Sequence, residues 1–134
     1  MLAEEILEEF EINSEIPLIG WTFTQDFANK NKKALNAFLQ ASYETKKLLS
    51  LDTKKSSDEW NRIKPLMKVK NDEMFKSLKD GYINGIVKNF SQEHIKSSQK
   101  VFDILYKEGG EKLVGKSTSL DEKTFWNFNP KIIW

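Results

Sequence analysis

The chain has 134 residues, with 21 Lys+Arg against 20 Asp+Glu, one His and no Cys, which sets the scale of one small domain and not of a two-domain enzyme. At 39% apolar and 12% aromatic content it can fill one ordinary core without disulfides or a metal. The lack of cysteine excludes thiol catalysis, disulfide scaffolding and thiolate metal sites.

The near-zero net charge hides an uneven layout. Residues 1–15 hold six acids (Glu4, Glu5, Glu8, Glu9, Glu11, Glu15) and no base, which leaves 21 bases against 14 acids in residues 16–134. Twenty of those bases are Lys and only Arg62 is Arg. Groove and phosphate readers use the bidentate guanidinium fork, so no nucleic-acid partner is expected. The start has neither a basic n-region nor an apolar h-region, and so does not read as a secretory signal. The longest apolar stretch, Ile16 to Phe23, is eight residues with a Pro, a Gly and a Thr. A bilayer span takes about 20 apolar residues, so the chain does not read as an integral membrane protein.

In chain order, Leu2, Ile6, Leu7 and Phe10 form one stripe of an acidic helix within residues 1–15. Residues 16–23 read as a strand apolar on both faces, with Pro17 near its edge. From Thr24 onward the period is helical. Thr24 is an N-cap for a short turn through Phe27 and Ala28. Asn31 opens a helix reaching about Leu51, with Leu35, Phe38, Leu39, Ser42, Lys46 and Leu49 on one side. Ser57 opens the next, carrying Trp60, Ile63, Leu66 and Met67, and Pro65 kinks or ends it because it lacks an N–H and obstructs the preceding turn. Asn71 and Asp72 start a helix with Met74, Phe75, Leu78, Tyr82 and Ile86 at helical offsets. Ser91 starts the last long one, with Ile95, Ser98, Phe102 and Leu105 inward and Gly109-Gly110 as its stop. Leu113-Val114 reads as a short strand or extended lid, Asp121 caps a final turn containing Phe125, and Pro130 to Trp134 reads as an unpaired terminus. The pattern describes one domain, 1–134, mainly α with one or two short strands: an acidic helix over 1–15, a buried hinge-like strand over 16–23, and a helical bundle with an irregular tail over 24–134.

A strand apolar on both faces needs paired neighbours, because its buried N–H and C=O groups must be satisfied. It therefore pairs either with a copy in another subunit, giving a homodimer through 16–23, or with sheet that lies in other sequence.

The order of motifs favours the second option. Pro17-Leu-Ile-Gly-Trp-Thr-Phe23 and Asn31-Lys-Lys-Ala-Leu-Asn-Ala-Phe-Leu-Gln-Ala-Ser42 resemble the C-terminal part of substrate-binding proteins of ABC importers, of the nitrate, sulfonate, taurine and thiamine-precursor type. The resemblance continues through Asp58-Glu-Trp-Asn-Arg-Ile-Lys-Pro-Leu-Met67, Asp72-Glu-Met-Phe-Lys-Ser-Leu-Lys-Asp-Gly-Tyr82, Gly85-Ile86, Gly109-Gly110, Leu113-Val-Gly115 and Thr124-Phe-Trp126. It implies the C-terminal, helix-rich portion of a periplasmic binding protein type 2 α/β fold, whose two lobes close on a small ligand and deliver it to a permease. Residues 1–15 are then the end of the second lobe, 16–23 the hinge strand and the rest helices packed on the first lobe. The sequence lacks counterparts of the first lobe, of most of the second lobe and of a signal peptide. The resemblance also implies a small-molecule ligand in the full-length parent, an ABC permease as partner and a periplasmic location, with a cytoplasmic one if Met1 is the true start.

Trp21, Thr22, Phe23 and Thr24 sit at the expected strand-to-helix junction, where open α/β folds place ligands and exposed N–H groups favour anions. The competing reading is that Trp21 and Phe23, or the Ile16, Leu18 and Gly20 face, are core. Trp60 suits packing against the previous helix. Arg62 suits a cross-link to a carboxylate or a chain end, with anion binding as the alternative. His94 reads as a solvated residue near a helix start. Gly85 reads as a helix end and Gly81 as a close helix contact. With one His and no Cys the sequence offers no Ser-His-Asp set and no zinc site, and no cofactor is expected. Two functions follow: part of a solute-binding component, not an enzyme, that takes a small anionic or heteroaromatic ligand, or a helical interaction, oligomerisation or sensor module without transport activity of its own.

Overall fold

The computed structural model describes residues 8–10, 12 and 20–134. The helices are α1 Gln25–Lys30, α2 Lys32–Ser50, α3 Lys54–Ile63, α4 Asp72–Asn84, α5 Gln92–Gly109 and α6 Glu111–Val114, with 3-10 turns at Lys64–Met67 and Glu122–Thr124. The mainly helical expectation holds, and among the described residues there is no strand.

Both expected strands are therefore corrected where the structure describes them. Residues 20–23 carry no regular structure, while 16–19 lie outside the described residues. Gly20, Trp21 and Thr22 are exposed, so their backbone groups can be met by water and need no ladder. Of the acidic segment only Glu8–Phe10 and Ile12 are described, and Glu8 and Glu9 are helical. Leu113-Val114 belongs to α6. The amides of Val114 and Gly115 donate four residues back, to the carbonyls of Gly110 and Glu111. That turn satisfies itself and asks for no neighbouring strand.

The helix starts follow from side-chain oxygens that meet amides without an intrahelical partner. Thr24 Oγ1 accepts from Phe27 N–H at 3.2 Å, and Asn71 Oδ1 accepts from Met74 N–H at 2.8 Å. Asn31 precedes α2 but donates its amide back to the Phe27 carbonyl at 3.0 Å, joining α1 to α2 instead of capping. α3 begins earlier than Ser57: Thr53 is extended and its Oγ1 accepts from Ser56 N–H at 3.2 Å. Pro65 acts as a stop, with α3 ending at Ile63 and the chain tightening into a 3-10 turn.

The described backbone sorts into two compact units: Thr22–Lys88 with Phe128–Trp134, and Asn89–Asn127 with the described residues up to Trp21. The first is built around Trp60, 4% exposed. Its ring meets Phe75 edge-on at 6.1 Å and Tyr82 at 5.7 Å, an arrangement suited to the ring quadrupoles. Leu35, Leu49, Ala28 and Ser56 are also buried in this unit. Met74 and Leu78 on α4, Phe38 on α2 and Leu66 after α3 are exposed despite their helical offsets. Each apolar stripe is wider than the surface that its neighbours cover.

In the second unit Phe90 stacks on His94 (5.6 Å, 28°) and meets Phe125 at 5.5 Å. Gln92 Nε2 donates to Glu122 at 2.9 Å, and Gln99 Nε2 donates to the Leu120 carbonyl at 3.0 Å, which tethers the last turn to α5. His94 is 6% exposed and not solvated as expected. Its Nδ1 accepts the Ser91 N–H at 3.1 Å and lies 2.9 Å from Ser91 Oγ, so the imidazole fills the place of the usual Glu or Gln in a capping box.

Candidate functional site

The four junction residues are divided. Trp21, 61% exposed, closes one unit, whereas Thr22, Phe23 and Thr24 open the other. Trp21 is thus not a core residue and Phe23 is half-buried. Thr24 spends its hydroxyl on capping α1, and α1 has six residues. The strand that would have aimed this junction is not formed over 20–23.

Arg62 takes the carboxylate cross-link. Its Nη1 donates to both oxygens of Glu59, at 3.1 and 3.0 Å, one turn back on α3. Around Trp60 the rim is cationic: Lys79 Nζ lies 5.7 Å from the Trp60 ring centre, and Lys64 Nζ lies 5.1 Å from that of Phe75. Lys64 also binds Asp72 at 2.6 Å. That hydrogen bond and the ammonium charge hold the Asp72 carboxyl below its ordinary value. Burial pushes the Tyr82 phenol up.

The most developed surface lies on α2, where the expected unpaired terminus proves to be tied down. Gln40 reads the Lys131 backbone at both ends: Lys131 N–H donates to Gln40 Oε1 at 2.9 Å, and Gln40 Nε2 donates to the Lys131 carbonyl at 3.3 Å. One helical turn on, Tyr43 meets Phe128 at 6.2 Å, and another turn on Lys47 Nζ donates to the Ile133 carbonyl. Trp134 Nε1 donates to the Lys88 carbonyl at 3.0 Å. An open cleft of about 410 Å³ runs beside this contact, lined by Glu44, Lys47, Leu48, Leu51 and residues 131–133. Burial pushes the Tyr43 phenol up and the neighbouring Lys46 ammonium down, with Lys46 Nζ 4.9 Å from the Tyr43 ring centre.

The sequence carried one signal for this seat. Phe128, Pro130, Ile132 and Trp134 recur at every second position, the period of an extended segment with one covered face. It is short and begins one residue after the aromatic run Phe125-Trp126, which obscures the alternation.

Among the described residues no group of three or more His, Asp or Glu side chains is placed to hold a metal ion, and no helix is long and apolar enough to cross a membrane. No protein-family model matches the chain, and neither a curated protein nor a solved structure does.

Proposed function

We propose that the chain is the helix-rich, C-terminal part of a solute-binding protein of an ABC importer, working by binding and not by catalysis. The supporting observation is that four blocks of the resemblance, taken in order, fall on parts of successive helices and their ends. Asn31–Ser42 is the residue before α2 and its first half. Asp58–Met67 is the second half of α3 with its Pro65 stop. Asp72–Tyr82 lies on α4, and Gly109-Gly110 ends α5. By resemblance, two lobes close on a small anionic or heteroaromatic ligand in the periplasm and the closed form docks on a permease, with Trp21 to Thr24 on the hinge side. A thermal-shift screen of nitrate, sulfonates, taurine and pyrimidine precursors, run on this chain and on the whole gene product that carries it, tests the reading. A shift in the longer protein that is absent here supports it, and no shift in either removes the ligand class.

A second reading, a helical interaction module, draws on exposed apolar side chains in the Trp60 unit: Leu66 at 78% and Ile133 at 87%. Exposed apolar side chains of this kind offer contact surface to a protein partner. Homodimerisation through 16–23 belongs to this reading. Size-exclusion chromatography with light scattering tests it, because a strictly monomeric chain counts against it.

A further inference from the structure

The seat of residues 128–134 on α2 has the form of a peptide-recognition surface. Burial alternates along the segment: Phe128, Pro130, Ile132 and Trp134 are half-buried, while Asn129, Lys131 and Ile133 are exposed. That is the two-residue period of an extended strand, here laid on a helix and not in a sheet. The α2 contacts come from positions 40, 43 and 47, which share one helix face. They take hold mainly of backbone: Lys131 N–H, Lys131 C=O and Ile133 C=O. Backbone contacts hold an extended chain whatever its origin, and the alternate side chains set its register.

We propose that this face receives the 128–134 segment of a second copy of the chain, so that two copies pair by exchanging these segments. The inference rests on the interaction-module reading. Every side chain in the clamp is at the surface or half-exposed, so a segment that leaves opens no buried polar group and water replaces the lost hydrogen bonds. A second copy offers the same face and segment, so exchange restores each contact and its cost is that of association. The chain leaves the Trp60 unit at Lys88 and re-enters it at Phe128, so residues 128–134 are joined to the rest of that unit only through residues 89–127.

The natural absence of cysteine permits a direct test. Glu44→Cys is made in one chain and Lys131→Cys in another, positions that line the same cleft. The two are mixed at high concentration and treated with a short bismaleimide. Exchange predicts that the 44–131 linked heterodimer exceeds both homo-linked products several-fold. A heterodimer no more abundant than those products overturns exchange. The double variant Glu44→Cys/Lys131→Cys is the control. If it links internally while the mixture does not, the segment is seated only within its own chain and the interaction module must use another surface. If it fails to link at all, the seat itself is absent in solution and the proposal falls with it.

Discussion

The indole N–H of Trp60 donates to the Leu49 carbonyl at 2.9 Å, and Ser56 Oγ donates to the same oxygen at 3.2 Å. Leu49 lies in the last turn of α2, where carbonyls have no intrahelical donor. The neighbouring carbonyls are met in other ways: Lys47 by Ser50 Oγ at 2.8 Å, and Leu48 by the Leu51 amide at 3.3 Å. Trp60 thus closes the end of α2 from within α3 while its ring anchors α4 through Phe75 and Tyr82. One side chain joins three helices.

Trp60→Phe keeps an apolar ring but removes the donor. With Ser56 still on the Leu49 carbonyl, the expected loss is about 1–2 kcal/mol in urea-induced unfolding. Trp60→Ala also leaves a cavity, and its expected loss is about 3–5 kcal/mol. Equal losses for the two would show that the hydrogen bond, and not the packing, carries the effect.

Local chemistry made most of the helices legible. Thr24, Asn71, Ser91 and Asp121 were identifiable as caps because a short oxygen-bearing side chain before an amphipathic run has a defined job. Pro65, Gly85 and Gly110 were identifiable as stops for similar reasons. Two misses were local, since Thr53 and not Ser57 caps α3 and Asn31 bonds back to Phe27, and the others depended on partners distant in sequence. The apolar run 16–23 predicts a strand, yet a strand exists only if a neighbour supplies a ladder, and the described residues 20–23 form none. His94 looked solvated because the stack with Phe90 and Phe125 brings together residues spread over 35 positions. Nothing local to Gln40 announces its contact with Lys131.

The capping box at α5 separates two roles of one ring. Ser91→Ala removes the oxygen that accepts at the helix start and is expected to cost about 1 kcal/mol. His94→Gln preserves an acceptor at the third helical position but loses the stack on Phe90. The glutamine variant should keep α5 helicity by circular dichroism while its melting temperature falls below that of the parent chain.

Alkaline stability should report on Tyr82. Its phenol is raised above the ordinary value by burial, so the folded state favours the neutral form. The resulting stabilisation is fully present below the unfolded value of about 10 and is lost as pH rises from there through the folded value. Tyr82→Phe should therefore flatten the alkaline limb of a stability-pH curve. Tyr43 is a poorer reporter, because burial lowers the adjacent Lys46 and so gives the opposite slope in the same range. An unchanged alkaline limb in the Phe variant would refute the assignment.

Acid stability should respond to the Lys64–Asp72 pair. The Asp72 carboxyl is held low by its bond to Lys64, so its contribution is present above the ordinary carboxylate value of about 4 and fades as pH falls through the folded value. Asp72 is exposed, so the effect should be small and should shrink further in salt. Asp72→Asn ought to reduce the acid slope in low-salt buffer and to change little at 1 M salt, where the Debye length is about 3 Å.

Two glycines should answer alanine substitution with opposite signs. Gly81 lies inside α4, and a Cβ built there meets nothing within 4 Å, so the close helix contact expected at this position is absent. A mid-helix glycine is costly because of the backbone freedom it loses on folding. Gly81→Ala should therefore stabilise the chain by about 0.5–1 kcal/mol. Gly110 is different: its φ of +54° places it in the left-handed region, between the end of α5 and the start of α6. Its nearest neighbour to an added Cβ is 3.9 Å away, so space is not the obstacle and the backbone conformation is. Gly110→Ala should cost about 1 kcal/mol or more. Thermal unfolding of the two variants beside the parent decides the matter, since a stabilising effect at Gly110 or a loss at Gly81 would contradict these backbone assignments.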